Sequence, residues 1–216
     1  MDAVKDFKKD KELYAPKAEP SLVSVPSMIF VAIRGQGNPN ESGGEYQRAI
    51  PTLYGIQYAI KMSKKGSFTP KGYFDYVVPP LEGLWWLSDA PLSSEAEEWQ
   101  KDKSKYHWIS MIRLPEFVTE DVFKWACDEV SQKKKIDTSK AFLFSYDEGL
   151  CVQCMHIGIY DDEPKTLIRM DDFIKKTDLV NDISQTRRHH EMYLSDPRKV
   201  APEKMKTILR IPVRNK

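Results

Sequence analysis

An internal duplication limits this chain to few folds. Leu81-Glu82-Gly83-Leu84 recurs as Asp147-Glu148-Gly149-Leu150, with the two glutamates 66 residues apart. Around each copy the same order of elements is legible. In the first half, residues 27–34 read as a strand that stops at the turn Gly35-Gln36-Gly37-Asn38-Pro39-Asn40. Residues 45–62 place Tyr46, Ile50, Leu53 and Ile60 at helical spacing, and Pro51 should kink this helix or mark its real start. Strands at 72–78 and 83–88 follow, joined around Pro79 and Pro80. The second half repeats the order with a strand at 106–113, a helix from the N-cap Thr119 to Val130, and strands at 141–146 and 150–157. Arg34 and Arg113, which close the first strands, lie 79 residues apart, so the first half carries 13 extra residues. Two such units, about 27–90 and 106–158, predict an α+β domain with an antiparallel sheet and helices mostly on one face.

Flanking segments complete the expected layout. Residues 1–20 form a charged lead-in to a single domain over 21–216. A helix is expected over 163–178, with Pro164 in its first turn and an apolar stripe of Leu167, Met170, Phe173 and Ile174. A last strand is expected over 186–194, followed by a tail to Lys216.

Composition narrows the function. With 33 basic and 32 acidic residues the net charge is +1, which offers no field suited to a phosphate backbone, so no nucleic-acid partner is expected. Lys133-Lys134-Lys135 reads as the solvated C-terminal end of a helix. The longest apolar runs, such as 84–87, are too short to span a bilayer, so no membrane partner is expected. The N-terminus lacks an apolar signal region, and a cytoplasmic location is expected. Cys151 and Cys154 form a C-x-x-C, but on a strand residues three apart point to opposite faces, which predicts core cysteines and not a disulfide. The sequence contains no G-x-G-x-x-G, P-loop, G-x-S-x-G or H-E-x-x-H pattern, and no cofactor is expected.

The expected last strand carries the chemistry. Alternation puts His189, Glu191 and Tyr193 on one face and His190, Met192 and Leu194 on the other. A carboxylate between an imidazole and a phenol is costly in a half-buried strand unless it borders a wet cavity or a ligand. The plain alternative is an exposed edge strand with salt bridges to Arg187 or Arg188. In Leu84-Trp85-Trp86-Leu87 one indole should join the core and the other should face the open side. Tyr73, Tyr76, Tyr146 and Tyr160 could add aromatic surface. Such a face suits planar hydrophobic or cationic ligands, so a small aromatic molecule is the expected partner. His189, Glu191 and His156 could be drawn as a metal site, but no ligand spacing supports one and no metal is expected.

Pro80-Leu81-Glu82-Gly83-Leu84-Trp85-Trp86, His156-Ile157-Gly158-Ile159-Tyr160-Asp161-Asp162-Glu163-Pro164 and His190-Glu191-Met192-Tyr193-Leu194-Ser195-Asp196-Pro197-Arg198 form three distinctive segments. Together they resemble the GyrI-like family, specifically its stand-alone branch with a Leu-Trp-Trp motif. The resemblance covers nearly the whole chain from about Val4 and implies a duplicated fold with a ligand cleft between the halves. It places the family's ligand-contacting acid at Glu191. Ile159 stands where the family more usually has proline. Some members are hydrolases that open the strained cyclopropane of DNA-alkylating natural products. For that reaction Glu191 is expected to act on water and Tyr193 or Tyr146 to donate a proton, with Trp85, Trp86, Tyr76, Tyr160 and His189 as the ligand's expected surroundings. Should Glu191 play no part, the next candidate is Glu82, otherwise read as a hairpin-turn residue. A non-catalytic protein that sequesters ligands or acts as an effector module fits the same residues.

Overall fold

The computed structural model describes residues 4–66, 68–87 and 102–216. Residues 1–3 of the lead-in, and residues 88–90 at the end of the first expected repeat, lie outside the described residues. The chain folds as α1 (Lys11–Tyr14), β1 (Ser21–Val25), β2 (Met28–Gln36), α2 (Glu45–Met62), β3 (Leu81–Leu87), β4 (Tyr106–Arg113), α3 (Glu120–Lys134), β5 (Ala141–Tyr146), β6 (Gly149–Ile157), α4 (Glu163–Lys175), β7 (Leu179–Asn181), β8 (His189–Tyr193) and β9 (Lys206–Asn215). Eight strands run antiparallel in the order β1-β6-β9-β8-β3-β4-β2-β5, and β7 adds to β9.

Local chemistry explains the boundaries. The Thr119 hydroxyl accepts the Val122 N–H and starts α3, and Lys135 ends it in the left-handed region at φ 57°. α2 passes through Pro51 without a break in the helix, so this proline marks no start. Three expectations are corrected. Residues 72–78 form no strand: only Tyr76 makes a bridge, parallel to Lys5, while its hydroxyl turns inward to donate to Gln57. β8 is not the last strand, because the tail supplies β9 at the sheet centre. Nor is Glu82 a turn residue, since it lies within β3 and is fully buried.

Strand register fixes the faces, because paired residues project to the same side. On one face Val31, Ile33 and Ile112 pack with α2 and α3. On the same face Val152, Cys154, Leu209 and Ile211 pack under α4. Helices thus cover both ends of this face, and β3 and β8 form the floor between them. Phe7, Leu13 and Tyr14 of the N-terminal segment cover part of the opposite face. Cys151 and Cys154 are free and divide between the two faces, as strand alternation predicts.

The duplicated tetrapeptides converge on a single imidazole. His190 on β8 brings Nδ1 to 3.0 Å from Glu148 and Nε2 to 3.0 Å from Glu82. Arg210 donates to the second Glu148 oxygen at 3.1 Å, to Gln153 at 3.3 Å and to the Leu13 carbonyl at 2.6 Å. Burial opposes the charge on His190, but Glu148 and Glu82 outweigh it and raise its pKa to about 9. Burial would also raise the Glu148 carboxyl, yet His190 and Arg210 hold it down to about 2. Two cations balance two carboxylates, and the cluster joins both repeats to the N-terminal segment.

Candidate functional site

On the floor between α2 and α4, β8 presents His189, Glu191 and Tyr193 side by side. The Tyr193 hydroxyl donates to Glu191 Oε2 at 2.8 Å, and the Trp85 indole N–H donates to that hydroxyl at 2.9 Å. His189 Nε2 stands 3.2 Å from Glu191 Oε1, while its Nδ1 faces the Arg210 carbonyl at 3.2 Å. A carbonyl only accepts, so the proton of that second contact belongs to Nδ1.

Space above Glu191 comes from Gly83, its direct partner on β3. A Cβ there would sit 2.6 Å from Trp85 Nε1 and 3.1 Å from the Tyr193 hydroxyl. The walls are aromatic. Trp85 meets Tyr46 of α2 at 5.3 Å and Tyr106 of β4 at 5.9 Å between ring centroids, and Tyr160 meets Tyr193 edge-on at 5.7 Å. Burial, followed by nearby acids (Glu191 first at Tyr106, Glu163 and then Glu191 at Tyr160), pushes these two phenols up to about 12. Burial and then the Glu191 charge raise Tyr193 as well, so it stays a proton donor through the neutral range.

A second carboxyl, unrecognised from the sequence, completes the group. Glu163 opens α4, is 8% exposed, and has an Oε1 with no hydrogen-bond partner among the described residues. Burial and then the Glu191 charge raise its pKa well above the usual carboxylate value. The space between the helices therefore holds two carboxyl groups in different surroundings. Glu191 accepts hydrogen bonds, whereas Glu163 is driven toward its neutral acid form. Pairs of this kind can divide general-base and general-acid work.

Not every expected residue reaches this place. Tyr76 is fully buried in the core cluster of the opposite face, and Tyr146 packs there against Phe144 with its ring edge-on to His190. Trp86 also turns to that face, because it follows Trp85 on the strand. The structure brings together Glu191, Tyr193, His189, Trp85 and Tyr160, and separates Tyr146, Tyr76 and Trp86 from them. His156 is engaged elsewhere, 2.9 Å from the Thr166 hydroxyl and 2.9 Å from the Ile159 carbonyl. Among the described residues no group of three or more His, Cys, Asp or Glu could hold a metal ion. Nor is any of their helices long and apolar enough to cross a membrane.

The model of the GyrI-like small molecule binding domain matches residues 18–214. The chain belongs to the GyrI-like family. Among solved structures, this GyrI-like chain is similar to an uncharacterized conserved protein from Listeria innocua, with 46% identity, a TM-score of 0.88, and 97% of this chain and 100% of that one covered. Two structures described as hydrolases from Listeria innocua are similar as well. One is 45% identical with TM-score 0.86, covering 97% of this chain and 100% of that one. The other is 46% identical with TM-score 0.87, covering 98% of this chain and 100% of that one. A search of curated proteins found no significant match. Ile159 adopts φ −75° and ψ 152°. That φ lies within the range proline imposes, so the turn before Tyr160 keeps a proline-compatible shape without the ring.

Proposed function

We propose that this GyrI-like protein binds flat hydrophobic or cationic molecules between α2 and α4 and hydrolyses strained, cyclopropane-bearing electrophiles there. The observation that carries the reading is the buried Glu163, whose Oε1 has no partner among the described residues and whose acid form is favoured by burial and by the nearby Glu191 charge. The similarity to two hydrolases over nearly the whole chain supports it. In the reaction proposed, Glu191 takes a proton from water as the water oxygen attacks a cyclopropane carbon. The ring C–C bond breaks, its electron pair moves into the conjugated dienone, and Glu163 protonates the resulting oxyanion. Tyr193 serves as a positioning residue because its hydroxyl hydrogen is committed to Glu191. Tyr146 has no part in the step, since it belongs to the opposite face.

Glu191→Gln tests this role for Glu191 against a purely electrostatic one. Turnover should fall by about 10²–10⁴-fold, the range for losing general-base assistance, while a neutral aromatic ligand binds as before. If Glu191 is a counter-charge in a sequestering protein, the same variant weakens cationic ligands only and has no turnover to lose.

A further inference from the structure

The opposite face of the sheet carries a second constellation that the cleft chemistry does not use. Trp86 projects there with the Arg188 guanidinium 4.8 Å and the Arg34 guanidinium 5.3 Å from its ring centroid. His107, its partner on β4, stacks on the indole at 5.7 Å and 17°. Neither guanidinium has an acidic partner or a side-chain hydrogen bond among the described residues. Other arginines are better provided: Arg187 pairs with Asp182, Arg198 with Asp196, Arg210 with Glu148 and Arg214 with Asp182. Burial and the charge of Arg34 both disfavour the charged form of Arg188, so the two cations are held near each other at a cost. Aromatic surface continues beside them, because Phe142 and Phe144 pair with Ala32 and Phe30, which share a face with Arg34 along β2. Both phenylalanines are only partly buried.

We infer that Arg34, Trp86 and Arg188 form a second ligand site, for a planar aromatic carboxylate, on the sheet face opposite Glu191. Two guanidiniums would neutralise and hydrogen-bond the carboxylate, and the partly exposed aromatic surface would take the ring. The site is chemically the inverse of the cleft, which presents carboxyl groups to neutral or cationic molecules. Because Trp85 and Trp86 are neighbours on β3, one strand would furnish an indole to each site.

Calorimetric titration of the full chain with 1-naphthoate at fixed ionic strength tests this, with inorganic phosphate as the anion lacking a ring. Saturable naphthoate binding is expected, at least about tenfold tighter than phosphate, since the ring adds stacking to charge neutralisation. Arg34→Gln combined with Arg188→Gln should weaken naphthoate by about tenfold or more, the loss of two charge-assisted contacts. Glu191→Gln should leave naphthoate affinity unchanged, which separates this site from the cleft. Thermal melts of each variant establish folding, and Arg34→Lys with Arg188→Lys should recover part of the binding if the double Gln variant melts early. Absence of saturable naphthoate binding, equal affinity in the folded double variant, binding no tighter than phosphate, or loss of binding in Glu191→Gln would each overturn the inference.

Discussion

At the scale of single residues, the cleft depends on a hydrogen-bonded line from Trp85 through Tyr193 to Glu191, with Gly83 leaving room above it. Gly83→Ala would place a methyl group at 2.6 Å from Trp85 Nε1, so the indole or the phenol must move. Turnover on a cyclopropane substrate should fall by at least about tenfold, given the steep penalty for small displacements of catalytic groups. Backbone circular dichroism should stay the same. Glu163→Gln should remove the alkaline limb of the kcat/KM–pH profile, because the group whose raised pKa supplies the proton is gone. The wild type should lose activity as pH rises through that pKa. A variant with an unaltered alkaline limb would exclude Glu163 as the acid. Strand alternation alone placed His189, Glu191 and Tyr193 together correctly. It could not assign Tyr146, Tyr76 or Trp86 to a face, because that requires knowing which strands pair and in what register. Glu163 escaped notice for a different reason. An acid in the first turn of a helix is ordinarily a solvated complement to the helix dipole, and nothing local marks it as buried.

Among the elements, β9 was the largest omission. Its central residues Ile208, Leu209, Arg210 and Ile211 are buried on both faces, so the run shows no alternation, and Arg210 and Pro212 argue against a central strand. Arg210 is tolerated because Glu148, Gln153 and Leu13 satisfy it. Pro212 pairs with Cys151 where β9 emerges toward β7. The duplication was legible in the element order and in one tetrapeptide, and the fold explains why that tetrapeptide persists in both halves. Glu82 and Glu148 grip opposite nitrogens of His190. Glu148→Gln should therefore destabilise the protein by about 3–5 kcal/mol, the cost of breaking a buried ion pair on one side. Chemical denaturation would measure it, and a loss below about 1 kcal/mol would show the cluster to be dispensable.

For the molecule as a whole, the same cluster sets a pH window. The folded state raises His190 from 6.5 to about 9, so it binds this proton more tightly than the unfolded chain does. Its stabilisation is complete below about pH 6.5 and is lost as pH rises toward 9, at up to about 1.4 kcal/mol per pH unit. Glu148 acts in the opposite direction. Its pKa falls from 4.5 to about 2, so its contribution is complete above pH 4.5 and is lost as pH falls toward 2. Melting temperature should accordingly be highest between about pH 4.5 and 6.5, and the Glu148→Gln variant should flatten both limbs. The two helix-covered ends of the sheet leave β3 and β8 as the floor between them, and the central claim is that water is activated there. Mass analysis of the product formed from a cyclopropane-bearing dienone in ¹⁸O-labelled water tests that claim most directly. The expected result is a ring-opened product carrying one labelled oxygen, formed by the wild type and strongly slowed in Glu191→Gln. Recovery of unchanged compound from the folded wild-type protein, bound or free, would contradict it.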